Sequence, residues 1–265
     1  MPMSTSPRDD PEFNNPRPKP VARRWGSRFT DVLLMLVGLL LVVALLLPAL
    51  RIGGGRSLAR QAACMNNLRQ ITIALNAYAS EHHALPPAYT VDANGRPLHS
   101  WRTLILPYLQ QDALYRTIDL SKPWNDPVNA KAFNTALQVY HCPDLDAWPS
   151  NKTAYRASVG PHAFLHPTEP RPRASMSQDK ASAIAVIEVA RQDAIPWMAP
   201  EDADEAMILS IGPNSQLVHP AGLHIATANL HATFAPTEAS PEARRHMISV
   251  DGEQGETIPT NPFVP

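Results

Sequence analysis

The chain has 265 residues, 23 of them basic and 24 acidic, for a formal net charge of -1. That balance supplies no global field to hold nucleic acid phosphates against salt, which argues against a nucleic acid partner. The 28 prolines are about twice the usual ~5% share, and proline cannot donate to a helix or a strand ladder, so long irregular loops are expected.

Residues 1–28 carry Pro2, Pro7, Pro11, Pro16, Pro18 and Pro20 among polar neighbours, too little apolar surface to offset chain entropy, so this tail is expected to be disordered. Val32 to Leu50 follows without one charged side chain, and a helix of that length crosses the ~30 Å hydrocarbon core of a bilayer. Arg17, Lys19, Arg23, Arg24 and Arg28 precede the run, against Arg51, Arg56 and Arg60 after it. The bias places the N-terminus in the cytoplasm and the rest outside, making the bilayer a partner through Val32 to Leu50. The run exceeds a secretory h-region and no small-x-small cleavage site follows, so the segment is expected to stay attached.

Gly53, Gly54 and Gly55 each cost about 1 kcal/mol in a helix interior, so a break or hinge is expected there. From Ser57 to about Ser80, Leu58, Met65, Leu68, Ile71, Leu75 and Tyr78 recur three or four apart, the pattern of an amphipathic helix with one buried stripe. Pro86 and Pro87 end it, and Asp92, Asn94 and Gly95 supply turn chemistry.

A succession of short motifs then carries a family resemblance. CMNNLRQITIALNAYASEHHALPP contains Asn66, Asn67 and Leu68; SWRTLILPYLQQDALY contains Trp101, Pro107 and Tyr108; PWNDPVN contains Trp124 and Asn125. YHCPD contains Pro143, PWMAPED contains Trp197, Glu201 and Asp202, and HPAG contains His219, Pro220 and Gly222. With TAYRASVGP and the IAVIEV strand between them, these resemble the bacterial family called domain of unknown function 1559, from Phe29 to about Ala235. The resemblance implies a prepilin-like N-terminal segment and a pilin-like fold. Two departures stand out. Arg28 and Leu33 occupy the places where a prepilin has its processed glycine and its glutamate, which argues against prepilin processing. Asn229 and Leu230 replace the Asp-Gly that ends the family's histidine motif, weakening a two-residue type I′ turn between LHIATA and HATFA.

Cys64 lies on the amphipathic helix and Cys142 follows VYH, a short run that reads as a strand. With both outside the cytoplasm, a disulfide between them is expected, worth ~4 kcal/mol through the long loop it closes. The alternatives are two separate buried thiols or a metal pair, although no further cysteine or close ligand spacing accompanies either one. His162 and His166 are four apart, and His219, His224 and His231 cluster late in the chain. Spacing alone supplies neither three converging ligands nor supporting groups, so no metal is expected. Glu201, Asp202, Asp204 and Glu205 offer oxygen ligands of the kind calcium takes, yet read better as a solvated loop. Trp101, Tyr108, Tyr115 and Trp124 read as core rather than as a ligand groove. No G-x-S-x-G, H-E-x-x-H, P-loop or G-x-G-x-x-G is present, so no catalytic residue and no cofactor is expected.

The expected architecture is α+β: a disordered tail (1–28), a transmembrane helix (29–52), an extracytoplasmic pilin-like domain (53–238) and a C-terminal tail (239–265). In the domain, the amphipathic helix packs on a small antiparallel sheet from the Val139, Ile184, Leu223 and His231 regions, since each layer has one apolar face to hide. Such a chain suits a non-enzymatic envelope protein of the inner membrane, a pseudopilin-like structural or interaction component within an envelope assembly. The alternative is an anchored module that binds an extracytoplasmic solute or glycan.

Overall fold

The computed structural model describes residues 26–50, 52–145, 151–176, 182–219, 222–229, 231–235, 237 and 240–250, with side chains in the first helix described for 28–44. Residues 1–25 of the expected disordered tail, Pro220, Leu230 and most of the C-terminal tail lie outside the described residues, whereas Gly26 to Arg28, also expected to be disordered, are the first residues of a helix. The chain divides into two compact units, 1–53 and 54–265.

In the first unit, α1 runs from Gly26 to Leu50. Among the described residues no helix is long and apolar enough to cross a membrane, so the spanning role expected of Val32 to Leu50 is taken up below as a proposal.

The second unit is α+β, a mixture of helices and small antiparallel sheets. Its main helix α2, Ile52–His82, already includes the three glycines, where a break was expected. They fall in the first turn, whose N–H groups have no intrahelical partner, so the cost of glycine is smallest there. The buried face of α2 is Cys64, Leu68, Ile71, Leu75 and Ala79, the three-and-four spacing read from sequence. Leu58 is 68% exposed, because the packing partners of α2 begin only further along the helix.

Short elements follow. Strands β1 (Ala84–Leu85), β2 (Tyr89–Val91) and β3 (Pro97–Ser100) precede helices α3 (Trp101–Leu104), α4 (Asp112–Tyr115) and α5 (Ala130–Phe133). Next come β4 (Lys152–Thr153), β5 (Tyr155–Ala157), β6 (Arg171–Pro172), β7 (Ile184–Glu188) and β8 (Ile195–Pro196). Helix α6 (Glu205–Ser210), strands β9 (Leu223–Thr227) and β10 (Ala232–Ala235), and helix α7 (Pro241–His246) complete the order. The prolines punctuate these pieces as their missing donor requires: Pro107, Pro127 and Pro241 each sit in the first turn of a short helix.

The central sheet is antiparallel in the order β10-β9-β7-β5. β7 and β9 are buried along their whole length, which is why IAVIE reads as a continuous apolar run rather than an alternating one. The expected hairpin is present, with Phe234 opposite His224. Thr227 N–H donates to the His231 carbonyl at 2.9 Å, so the closure is wider than a two-residue turn at Asn229 and Leu230. One expected strand is absent: Gln138–Tyr140 is a 3-10 turn, and β5 is the fourth strand of the sheet in its stead. The carbonyls of the run before Pro143 bond to a side chain instead of a neighbouring strand. Asn67 Nδ2 donates to the carbonyls of Gln138 and His141 at 3.1 and 3.0 Å.

Candidate functional site

Two polar centres lie inside the second unit, and both draw on β5. The first grows from SWR. Arg102 is fully buried, and its Nη2 donates to Asp202 Oδ1 at 2.6 Å, in an ion pair whose side chains are 0% and 3% exposed. The same guanidinium donates to the Tyr155 carbonyl through Nε and Nη2 at 3.0 and 2.9 Å, and reaches the carbonyls of Ala199 and Glu201. Asp202 also accepts from Trp101 Nε1 at 3.0 Å and from the Ala157 N–H at 2.7 Å. Tyr140 Oη donates to the Arg102 carbonyl at 2.8 Å, and its ring stacks on Trp197. A buried ion pair is tolerated only when its remaining donors and acceptors are met, and here they are. This centre ties four motifs into one knot in which Arg102 and Asp202 are fully engaged, while Arg156 beside them keeps a buried Nε without a partner among the described residues.

The second centre is built on a row of the sheet. Register pairs Phe234 with His224 and Tyr155 with Glu188, and His224 Nδ1 lies 2.8 Å from Glu188 Oε2, so one face carries Phe234, His224, Glu188 and Tyr155 side by side. His219, just before β9, adds its ring at 4.5 Å from that of His224. Its Nδ1 is 3.0 Å from Asp144 Oδ2, and its Nε2 is 3.5 Å from both Glu188 Oε2 and Cys142 Sγ. Cys142 is disulfide-bonded to Cys64 of α2, with Cα atoms 5.4 Å apart, the separation a bridge needs.

Electrostatics in this centre is set by the His-Glu pairing. Burial raises the Glu188 carboxyl, but hydrogen bonds and charge from His219 and His224 together hold it below the usual range. Burial lowers His219, and Glu188 with Asp144 overcomes that to raise it. Tyr155 is pushed well above its ordinary value by burial, reinforced by the Glu188 charge. Glu188 Oε1 is buried with no hydrogen-bond partner among the described residues.

The residues singled out from sequence fall into distinct places. Asn67 and Leu68 join α2 to the core, whereas Asn66 is exposed. Trp101 and Trp197 are buried, the latter donating from Nε1 to the Thr135 carbonyl at 3.1 Å. Trp124, Tyr108 and Tyr115 pack at the edge of the core. Asn125 is exposed; the working asparagine of PWNDPVN is Asn129, which bonds Asp119 and Pro123 backbone. Pro143 opens a 3-10 turn. Glu201 contributes only its carbonyl, Asp202 turns inward, Asp204 caps α6 through the Met207 N–H at 2.8 Å, and Glu205 pairs with Arg245 at 3.0 Å. The acidic run therefore does not converge. His162 is exposed, and His231 is exposed at the far end of the hairpin while His224 is buried. Gly222 has φ +151°, and a Cβ there would lie 2.5 Å from the Ala235 carbonyl oxygen, so the HPAG glycine is a steric requirement. Neither Arg102 nor Glu188 stands out as a site residue in the sequence. The only available hint was a charged residue inside an otherwise apolar stretch.

The family described as protein of unknown function, DUF1559, matches residues 54–212, more than half of the chain. The chain belongs to this family. The DUF1559 match starts beyond α1 and stops before His219, a narrower span than Phe29 to about Ala235, and it leaves the prepilin-like details untouched. It includes Cys64, Arg102, Cys142, Glu188 and Asp202, hence the whole first centre and, of the second, all but His219, His224 and Phe234. No curated protein and no solved structure matches the chain.

Proposed function

We propose that this DUF1559 protein is a membrane-anchored, non-catalytic component of the cell envelope, with α1 as anchor and the second unit outside the cytoplasm. One observation carries the reading: large apolar side chains of α1 are exposed on every face, Phe29, Leu34, Met35 and Leu40 at 77, 69, 76 and 67%, with Val32, Leu33, Leu36 and Leu39 also open. A helix apolar all round is covered by lipid or by other helices, never left in water. The disulfide supports the placement, since such bonds persist on the oxidising side of a membrane. The same exposed surface is compatible with a pseudopilin-like role in an envelope assembly, because copies of α1 side by side would cover it. The first centre supports the non-catalytic part: its charged groups are all spent on holding loops together.

A second reading, an anchored solute-binding module, is favoured by an open cavity of about 810 Å³ lined by Gln192, Asp193, Asn214 and Ser215 among others. It has no aromatic side chain in its wall, so the glycan-stacking form of that reading is the weaker one. Extraction and labelling of intact cells test the proposal. The protein should resist carbonate extraction, and a cysteine introduced at exposed Asn66 should react with a membrane-impermeant maleimide. Release by carbonate, or labelling only after lysis, overturns it. Crosslinking of detergent-extracted protein then separates assembly, which gives ladders, from a solitary binding module.

A further inference from the structure

We propose that Cys64, Cys142, His219 and Glu188 form a binding site for a zinc-class divalent cation once the disulfide is reduced, so that the bridge and the metal are alternative occupants of one place. One ligand atom from each of the four residues lies within 4.8 Å of the others, and all four residues are buried. Tetrahedral zinc with bonds of about 2.0 to 2.3 Å holds its ligand atoms roughly 3.3 to 3.8 Å apart, so the donors close on an ion through small side-chain rotations. Two thiolates, an imidazole and a carboxylate are the donor chemistry that selects zinc over calcium or magnesium.

The supporting groups are already in position. Asp144 Oδ2 lies 3.0 Å from His219 Nδ1, so with Nδ1–H donating there, Nε2 is the nitrogen that would give up its proton to ligate the ion, and it already lies 3.5 Å from both Cys142 Sγ and Glu188 Oε2. Asp144 is itself held by Arg60 at 3.1 Å. His224 Nδ1 holds Glu188 Oε2 at 2.8 Å, while Oε1 is buried with no partner among the described residues. This carboxylate-histidine-metal arrangement fixes the tautomer and the direction of the ligand lone pair. A purely structural disulfide needs neither an oriented imidazole nor an unpaired buried carboxylate oxygen beside it.

The exchange balances with a dithiol reductant. The reductant's two thiols give two electrons and two protons to the Cys64–Cys142 bond and leave as a disulfide; the two cysteine thiols then lose their protons to solvent as the cation binds. Oxidation by a disulfide-bearing partner runs the same steps backwards and releases the ion.

The test uses the full-length chain in detergent, with cobalt(II) and zinc(II) alone as probes. After reduction by a dithiol and removal of the reductant, the wild type should take up one equivalent of cobalt with thiolate-to-cobalt absorption in the near ultraviolet, and zinc should displace it. The oxidised protein should take up none. Cys64→Ser and His219→Gln should each abolish the tight equivalent, Asp144→Asn should weaken it about 10- to 100-fold as a positioning change, and His231→Gln should leave it unaltered. Far-ultraviolet circular dichroism accompanies each variant, so that a loss of fold is not read as a loss of ligand. Failure of the reduced, folded wild type to bind, binding equal in Cys64→Ser, or unfolding of the wild type on reduction in the presence of zinc each overturns the proposal. The outcome is independent of whether α1 is an anchor.

Discussion

The two buried centres are made of similar material and behave as opposites. At Arg102 and Asp202, a guanidinium and a carboxylate are surrounded by carbonyls and N–H groups whose number matches their own, and the donors are used up. At Cys142, Glu188 and His219, Glu188 keeps one buried carboxylate oxygen, Oε1, with no partner among the described residues, while His219 Nε2 lies 3.5 Å from both Cys142 Sγ and Glu188 Oε2. Burial alone does not separate a structural charge from a chemical one. The hydrogen-bond balance does, because an unmet buried group costs free energy that only a ligand, or a loss of the group, relieves.

The largest effect is expected at the saturated centre. Arg102→Leu strands Asp202 without its counter-charge and leaves the Tyr155 carbonyl short of donors, a change of the kind that costs about 3 to 5 kcal/mol. Urea unfolding followed by tryptophan fluorescence measures it. A loss under about 1 kcal/mol would mean that the pair behaves as a surface bridge, and the contrast between the centres would fall.

Removal of the bridge comes next. Cys64→Ser should cost about 2 to 5 kcal/mol, and the double variant Cys64→Ser/Cys142→Ser no more than the single one, since one bond is lost in either case. Hydrogen exchange should show α2 loosening before the sheet, because the bridge and Asn67 are its ties to the 138–142 turn. Two free thiols in protein prepared without reductant would remove this prediction and leave the cluster as a thiol site outright.

Gly222→Ala is a smaller disturbance aimed at the second centre. The added Cβ meets the Ala235 carbonyl and the Phe234 ring, and Gly222 N–H is bonded to the His219 carbonyl at 3.1 Å, so relief of the clash moves His219. A cost of about 1 to 3 kcal/mol is expected, with the nuclear magnetic resonance signals of His219 and His224 shifting while those of Trp101 stay in place. Equal shifts at Trp101 would show that the two centres are one mechanical unit.

Much of this arrangement is legible in the chain, and the gaps have a physical pattern. Features set by neighbours in sequence were readable: the stripe on α2, the LHIATA and HATFA hairpin, and Cys64 with Cys142 once the charge-free run implied a compartment. The Val139 region reads as a strand because a short Val-Tyr run is compatible with either a strand or a 3-10 turn, and the decision rests on Asn67 more than seventy positions away. The histidines were grouped as 219, 224 and 231, but strand length carries His231 to the exposed end, and their acid partner Glu188 lies on the adjacent strand. Arg102 and Asp202 are a hundred residues apart, and only the folded chain shows that these charges neutralise each other.

The smallest expected effect distinguishes the regions by sign. His99, three residues before Arg102, is buried, with Nε2 2.8 Å from the Lys122 carbonyl and Nδ1 without a partner among the described residues. Burial holds its pKa below the ordinary value, although the Lys122 and Asp119 carbonyls oppose the shift. The unfolded chain therefore binds the proton more readily. Stability from His99 is complete above about 6.5 and is lost as pH falls through its folded value. His219 behaves oppositely: with its pKa raised by Glu188 and Asp144 against the effect of burial, its contribution is complete below about 6.5 and is lost as pH rises through its folded value. In the oxidised protein, His99→Gln keeps an N–H donor near the Lys122 carbonyl but does not titrate. It should lose less than the wild type between pH 7.5 and 5.5, whereas His219→Gln should lose more than the wild type over the same range. Urea midpoints at both pH values read the two differences, and a common sign for both variants would mean that the polar surroundings of one histidine are not those described.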